Sequence, residues 1–173
     1  MQTKRVIVVP YDPKWKDDFE EIKQDLAAAI GDLNVRIEHV GSTAVEGLSA
    51  KPIIDIDVLL PDAAAFSAVA ERLAAIGYYH AGDQGIRDRE VFKYENKPHL
   101  RKHHLYVCPP QSAEFHRHIT FRDYLRSHPD AALAYGRVKE EGAKRFPCDM
   151  ESYMAFKAPV VNEIYRRCGL IRQ

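Results

Sequence analysis

Val40-Gly41-Ser42-Thr43-Ala44-Val45-Glu46-Gly47, followed by Lys51-Pro52-Ile53-Ile54-Asp55-Ile56-Asp57-Val58-Leu59-Leu60, is the stretch that decides the fold. Val35–Val40 alternates as a strand and ends at the Gly-Ser pair. Residues 53–60 form a second strand, apolar except for two aspartates. Side chains alternate along a strand, so Asp55 and Asp57 point the same way, roughly 6.7 Å apart. Two like charges beside a core repel each other and resist desolvation. A divalent cation removes both costs. Hard oxygen ligands suit Mg²⁺ or Mn²⁺, with one or two carboxylates completed by substrate phosphates.

The Gly-Ser turn supplies the complementary half. Gly41 permits positive φ and close backbone approach. Ser42 or Thr43 is placed to cap a short helix, and Thr43-x-x-Glu46 has the form of a capping box. A helix N-terminus binds phosphate through its free N–H groups and its dipole. One turn is therefore expected to hold a triphosphate while the next strand holds its metal.

Outward from this stretch, 173 residues suffice for one domain, taken as 1–173, with a real core. Arg5–Val9 reads as a strand closed by Pro10. Asp12-Pro13 starts a helix whose stripe is Trp15, Phe19, Ile22, Leu26, Ala29 and Ile30, ending at Gly31. His39, just before the turn, is expected to be a hydrogen-bonded supporting residue. After Pro61-Asp62, a helix buries Ala65, Phe66, Val69, Leu73 and Ile76, with Gly77 past its end. Strands are expected near 78–81, 86–94 and 100–108. Helices are expected at 112–127, from Asp130 to Phe146, and from Asp149 to near Cys168-Gly169. The class is α/β (α+β): a small mixed sheet flanked by helices, with a helical C-terminal third.

Composition narrows the function. Lys and Arg total 25, as do Asp and Glu, so the chain carries no nucleic-acid signature in its net charge. Three cysteines, Cys108, Cys148 and Cys168, are far apart and form no Cys-x-x-Cys, which indicates neither disulfides nor zinc. A reducing cytoplasm is the simple expectation. No apolar run approaches membrane-spanning length, and no signal peptide is evident. His99, His103, His104, His116 and His118 are numerous but match no zinc spacing.

At these residues the chain resembles the GrpB-like family of predicted nucleotidyltransferases, in the polymerase-beta-type nucleotidyltransferase superfamily. The resemblance is carried by Val8-Val9-Pro10-Tyr11-Asp12-Pro13 with Trp15, by Glu38-His39-Val40-Gly41-Ser42-Thr43-Ala44-Val45, and by Lys51-Pro52-Ile53-Ile54-Asp55-Ile56. It continues through His103-His104-Leu105, Phe121-Arg122-Asp123-Tyr124-Leu125-Arg126, and Tyr153 with Lys157. It implies a sheet of the nucleotidyltransferase type and metal-dependent transfer from an NTP to a hydroxyl or phosphate acceptor. Asp55 and Asp57 would hold the metal, and Gly41 and Ser42 the phosphates. Active superfamily members carry a third carboxylate on a later strand; here that strand offers only His104 and Tyr106. The family usually shows His-Leu-His-Val, whereas this chain has His104-Leu105-Tyr106-Val107. Three readings stand side by side: His104 is the general base, the site binds without turnover, or the histidines are structural.

Further cations are candidates for phosphate binding. Lys157 falls on an apolar helix face four residues after Tyr153, where an ammonium snorkels, pairs with Asp55 or Asp57, or reaches a triphosphate. The resemblance favours the last two. Lys51 and Arg89 are candidates too, with solvated positions as their alternative. The competing function is a non-catalytic nucleotide- or partner-binding module, since the same domain occurs fused to dephospho-CoA kinase with a proposed folding-assistance role. A histidine-based phosphohydrolase is a third, weaker reading.

Overall fold

The computed structural model describes residues 5–172. Its elements in order are α1 (Lys14–Ile30), β1 (Arg36–Val40), β2 (Ile54–Leu59), α2 (Phe66–Ala75), β3 (Tyr79–His80), β4 (Glu90–Lys93), β5 (His103–Cys108), α3 (Ala113–Ser127), α4 (Pro129–Arg145) and α5 (Met150–Arg167). The five strands form one mixed sheet in the order β1-β2-β5-β4-β3. β2 and β5 run parallel, and the other neighbours are antiparallel.

One sheet face is dry. Ile54, Ile56 and Val58 of β2, Leu105 and Val107 of β5, and Phe92 of β4 pack against Trp15, Ile22 and Leu26 of α1 and Val69 and Leu73 of α2. Burying each such side chain contributes about 1.5–3 kcal/mol. The opposite face carries Asp55, Asp57, His104 and Tyr106 in adjacent register and lies on the side of α3, α4 and α5. A second, smaller core of Val45, Leu48, Leu125, Ala132, Tyr135 and Ile164 joins those helices to the loop after the Gly-Ser turn. Arg122 of α3 ties the layers together, donating to Glu38 Oε2 at 2.8 Å and to the His39 carbonyl at 3.0 Å.

Local signals explain most element boundaries. Asp12 Oδ1 accepts from Lys14 N at 2.9 Å, Ser112 Oγ from Phe115 N at 3.1 Å, and Asp149 Oδ1 from Ser152 N at 3.0 Å. Pro129 opens α4. Three expectations fail. Arg5–Val9 makes a single bridge, Val9 to Ala50, because Pro10 and Pro52 lack the donors that would extend it. The strand expected over 86–94 shortens to Glu90–Lys93, since Gln84 (φ 52°) and Asp88 (φ 58°) turn the chain. The capping box does not form: Ser42–Ala44 is a single 3₁₀ turn without a side-chain cap, and Glu46 instead pairs with Lys16 at 2.9 Å.

Candidate active site

The Gly-Ser turn sits directly over the carboxylates. Gly41 has φ +74°, and a Cβ there would lie 2.5 Å from Asp55 Oδ2. Both facts demand glycine. Val40 pairs with Asp55 and Glu38 with Asp57, so β1 lines the same face. His39 points to the other face, where it stacks on Phe19 at 4.7 Å and bonds Thr43 Oγ1 at 2.9 Å. Burial, with Arg126 and Arg122 nearby, pushes its imidazole down to about 4. It is a neutral prop for the turn.

Asp57 is fully buried, and its Oδ1 has no hydrogen-bond partner among the described residues. Its Oδ2 accepts from His118 Nδ1 of α3 at 2.7 Å. Burial raises the Asp57 carboxyl, against the pull of His118. Burial lowers the His118 imidazole, but Asp57 outweighs this and leaves it raised. Asp55 is more open and accepts from His104 Nδ1 at 3.0 Å. His104 is half-exposed. Tyr106, beside Asp57, is pushed up to about 12 by burial and the nearby Asp55, so its phenol stays protonated and is no base. The Arg89 guanidinium lies 4.5 Å over the Tyr106 ring, with its Nε buried and unpartnered among the described residues.

A cleft of about 240 Å³ opens beside Asp55 and His104, lined also by Ser42, Lys51, Lys139 and Lys157. The Lys139 ammonium is buried and donates to Ser42 Oγ at 2.8 Å. Burial, then Lys157, push it down to about 7 against the attraction of Asp55. Burial also lowers Lys157. The cleft thus holds amines that are short of counter-charge, next to carboxylates that are short of cation. An anionic ligand carrying a divalent cation satisfies both.

The orphaned Asp57 Oδ1 and the same-facing Asp55 fit a hard divalent cation, with the remaining ligands from phosphate and water. No group of three or more His, Cys, Asp or Glu side chains converges for a metal among the described residues. The histidines are dispersed: His103 bonds Tyr78 at 2.7 Å in the core, and His99 meets Asp25 at 3.2 Å. Asp55, His104, Gly41, Ser42, Lys51 and Lys157 come together; Arg89 joins from the far side, against Tyr106. The helix dipole expected over the turn is missing, because one 3₁₀ turn provides little of it. Lys139 takes its place. It was legible as a second Tyr-x-x-x-Lys: Lys139 lies 4.8 Å over Tyr135, as Lys157 lies 5.1 Å over Tyr153. His118 went unread as a partner of Asp57 because it comes from a separate helix.

A mixed sheet with paired carboxylates following a Gly-Ser turn defines a nucleotidyltransferase-type fold. Solved structures agree: the poly(U) polymerase Cid1, solved with MgGTP bound, matches at TM-score 0.56 and 14% identity over 79% of this chain and 44% of that one. The GLD-2/RNP-8 complex matches at TM-score 0.60 and 14% identity, over 93% and 62%. At that identity the likeness is one of fold. The chain belongs to the GrpB family: a family model described as GrpB protein matches residues 5–167. The crystal structure of GrpB from Enterococcus faecalis aligns at TM-score 0.77 and 33% identity, covering 93% of this chain and 98% of that one.

Among curated relatives, Glutamate-rich protein GrpB of Alkalihalophilus pseudofirmus is 39% identical over 92% of this chain and 93% of its own length. UPF0157 protein PA4798 of Pseudomonas aeruginosa is 39% identical over 94% and 67%. A dephospho-CoA kinase of Mycolicibacterium paratuberculosis is 29% identical over 94% of this chain, which spans only 46% of that protein. No helix among the described residues is long and apolar enough to cross a membrane.

Proposed function

We propose that this protein transfers a nucleotidyl group from an NTP to a hydroxyl or phosphate acceptor, with Mg²⁺ or Mn²⁺ held by Asp55 and Asp57. The observation that carries this reading is the buried Asp57 Oδ1, unpartnered among the described residues, on the same strand face as Asp55, which itself lines a cleft with Lys51, Lys139 and Lys157. The metal, when bound, orients the triphosphate and neutralises charge developing at the α-phosphate. Ser42 Oγ, Lys139 and Lys157 bind the outer phosphates, and Lys51 adds charge at the exposed edge. Ile7 and Met154, both well exposed on the cleft rim, give the nucleoside an apolar surface. His104, bonded to Asp55 and open to solvent, takes the proton of a hydroxyl acceptor. The fold likeness to Cid1, a poly(U) polymerase, supports the reaction class. Location in the cytoplasm fits a consumer of NTP and is part of this proposal.

One observation favours a second reading. No carboxylate stands at the β5 positions beside Asp55 and Asp57, where His104 and Tyr106 sit. A module that binds nucleotide or a partner without turnover fits that loss, and the match to part of a dephospho-CoA kinase is consistent with it. Calorimetric titration of the four NTPs with Mg²⁺ or Mn²⁺, on wild type and on Asp55→Asn/Asp57→Asn, tests the site. The expected result is metal-dependent binding of one NTP, lost in the double variant. An absence of binding to folded wild type would sink the transferase reading. Binding with no pyrophosphate release, in any acceptor mixture, moves the assignment to the non-catalytic module.

A further inference from the structure

A second groove, of about 740 Å³, runs away from the carboxylates along the same sheet face. The register places its parts in one row. His104 pairs with Asp55, and Phe92 pairs with Leu105, so Lys93 stands one step on, level with His104. Tyr79 pairs with Lys93. Asp55, His104, Lys93 and Tyr79 therefore follow one another across four adjacent strands, with side chains on one face. Strands lie about 4.8 Å apart, so Lys93 is roughly 10 Å from Asp55, and Tyr79 about 14 Å.

The groove has a definite chemistry. Lys93 and Lys102 are exposed on its lining and pair with no carboxylate among the described residues. Lys97 is already committed: it donates to the Ile76 carbonyl at 2.6 Å and lies over Tyr78. Glu95 is the acid on the lining. Tyr79 is 48% exposed, a ring without cover beside a lysine. Exposed aromatic and cationic groups together suit a planar, anionic ligand.

We propose that this groove is the acceptor subsite, and that the acceptor is a small phosphorylated molecule bearing an aromatic ring, of nucleoside monophosphate size. The proposal rests on the transferase reading above. The acceptor's phosphate lies at Lys93 and Lys102, its ring against Tyr79, and a hydroxyl reaches His104 and Asp55. That hydroxyl oxygen bonds the α-phosphorus of the NTP as the bond to the bridging oxygen breaks. Pyrophosphate leaves with the electron pair, and His104 receives the proton.

The test uses the full chain and AMP, GMP, CMP and UMP as probes, with glycerol 3-phosphate as the ringless control. Binding is measured by calorimetry on wild type, on Lys93→Glu/Lys102→Glu, on Tyr79→Ala and on Asp55→Asn/Asp57→Asn. One monophosphate should saturate wild type and bind at least about tenfold more weakly, roughly 1.4 kcal/mol, to the charge-reversed variant. It should lose its advantage over glycerol 3-phosphate in Tyr79→Ala. The charge-reversed variant should keep Mg·NTP binding, and the aspartate variant should lose it. Mg·NTP binding with no monophosphate binding, or monophosphate binding indifferent to Lys93 and Lys102, overturns the subsite and leaves the transferase reading standing. Monophosphate binding without Mg·NTP binding overturns the transferase reading and the acceptor role with it.

Discussion

Lys139 shows how much one residue carries here. Its amine is buried against Ser42 and falls from an ordinary 10.5 to about 7. In the unfolded chain the amine keeps its proton to the higher pH. Folding is therefore opposed by protonation of a buried group, increasingly as pH falls from 10.5 toward 7, and fully below that. Lys139→Met removes this cost while keeping the length of the side chain. Thermal melts should show the variant more stable than wild type at pH 6, with a smaller gain at pH 9.5. The same change should weaken Mg·NTP binding most at pH 6, where the wild-type amine is charged. A gain that grows with pH would contradict the assignment. The buried Asp57 carboxylate follows the same logic: a functional group is kept at some cost to stability.

At the scale of elements, the site depends on α4 and α5 staying close, since each contributes one lysine to the cleft. Gly142 makes that approach possible: a Cβ on it would lie 2.9 Å from Phe156 Cδ1 and 3.0 Å from Tyr153 Cδ2. Gly142→Ala gains about 1 kcal/mol of helix propensity, which offsets part of an overpacking cost of about 1–3 kcal/mol. Gly142→Leu has no such balance. It should lower Tm by several degrees and weaken Mg·NTP binding, because Lys139 is carried away from Lys157. Unchanged affinity in a folded Gly142→Leu variant would show that the two lysines act independently. The burial on α4, at Ala132, Tyr135, Gly136, Lys139 and Gly142, explains why its inner face was hard to read. Small residues and a lysine do not form an apolar stripe, whereas the large apolar residues of α1 do.

Across the whole molecule, the sheet separates a dry face from a reactive one, and Cys108, in register beyond Tyr106 on the reactive face, tests how tightly the end of that face is closed. Cys108 is buried on β5 and pushed up to about 12 by burial, whereas Cys148 is exposed. Alkylation of the native protein at pH 8 should label Cys148 quickly and Cys108 about 100-fold more slowly or less, limited by opening of the sheet. Comparable rates, read by peptide mass spectrometry, would mean that β5 opens far more readily than this packing implies. By itself, the sequence determined the sheet class, the Gly-Ser turn, the two same-facing aspartates and the stripe of α1. Those follow from alternation, helical spacing and glycine geometry, which act over a few residues. Only the tertiary structure decided that His118 meets Asp57, that Lys139 lies under Ser42, and that the β4 register brings Lys93 level with His104. Each of these is a contact between segments distant in the chain, where no local periodicity specifies the partner.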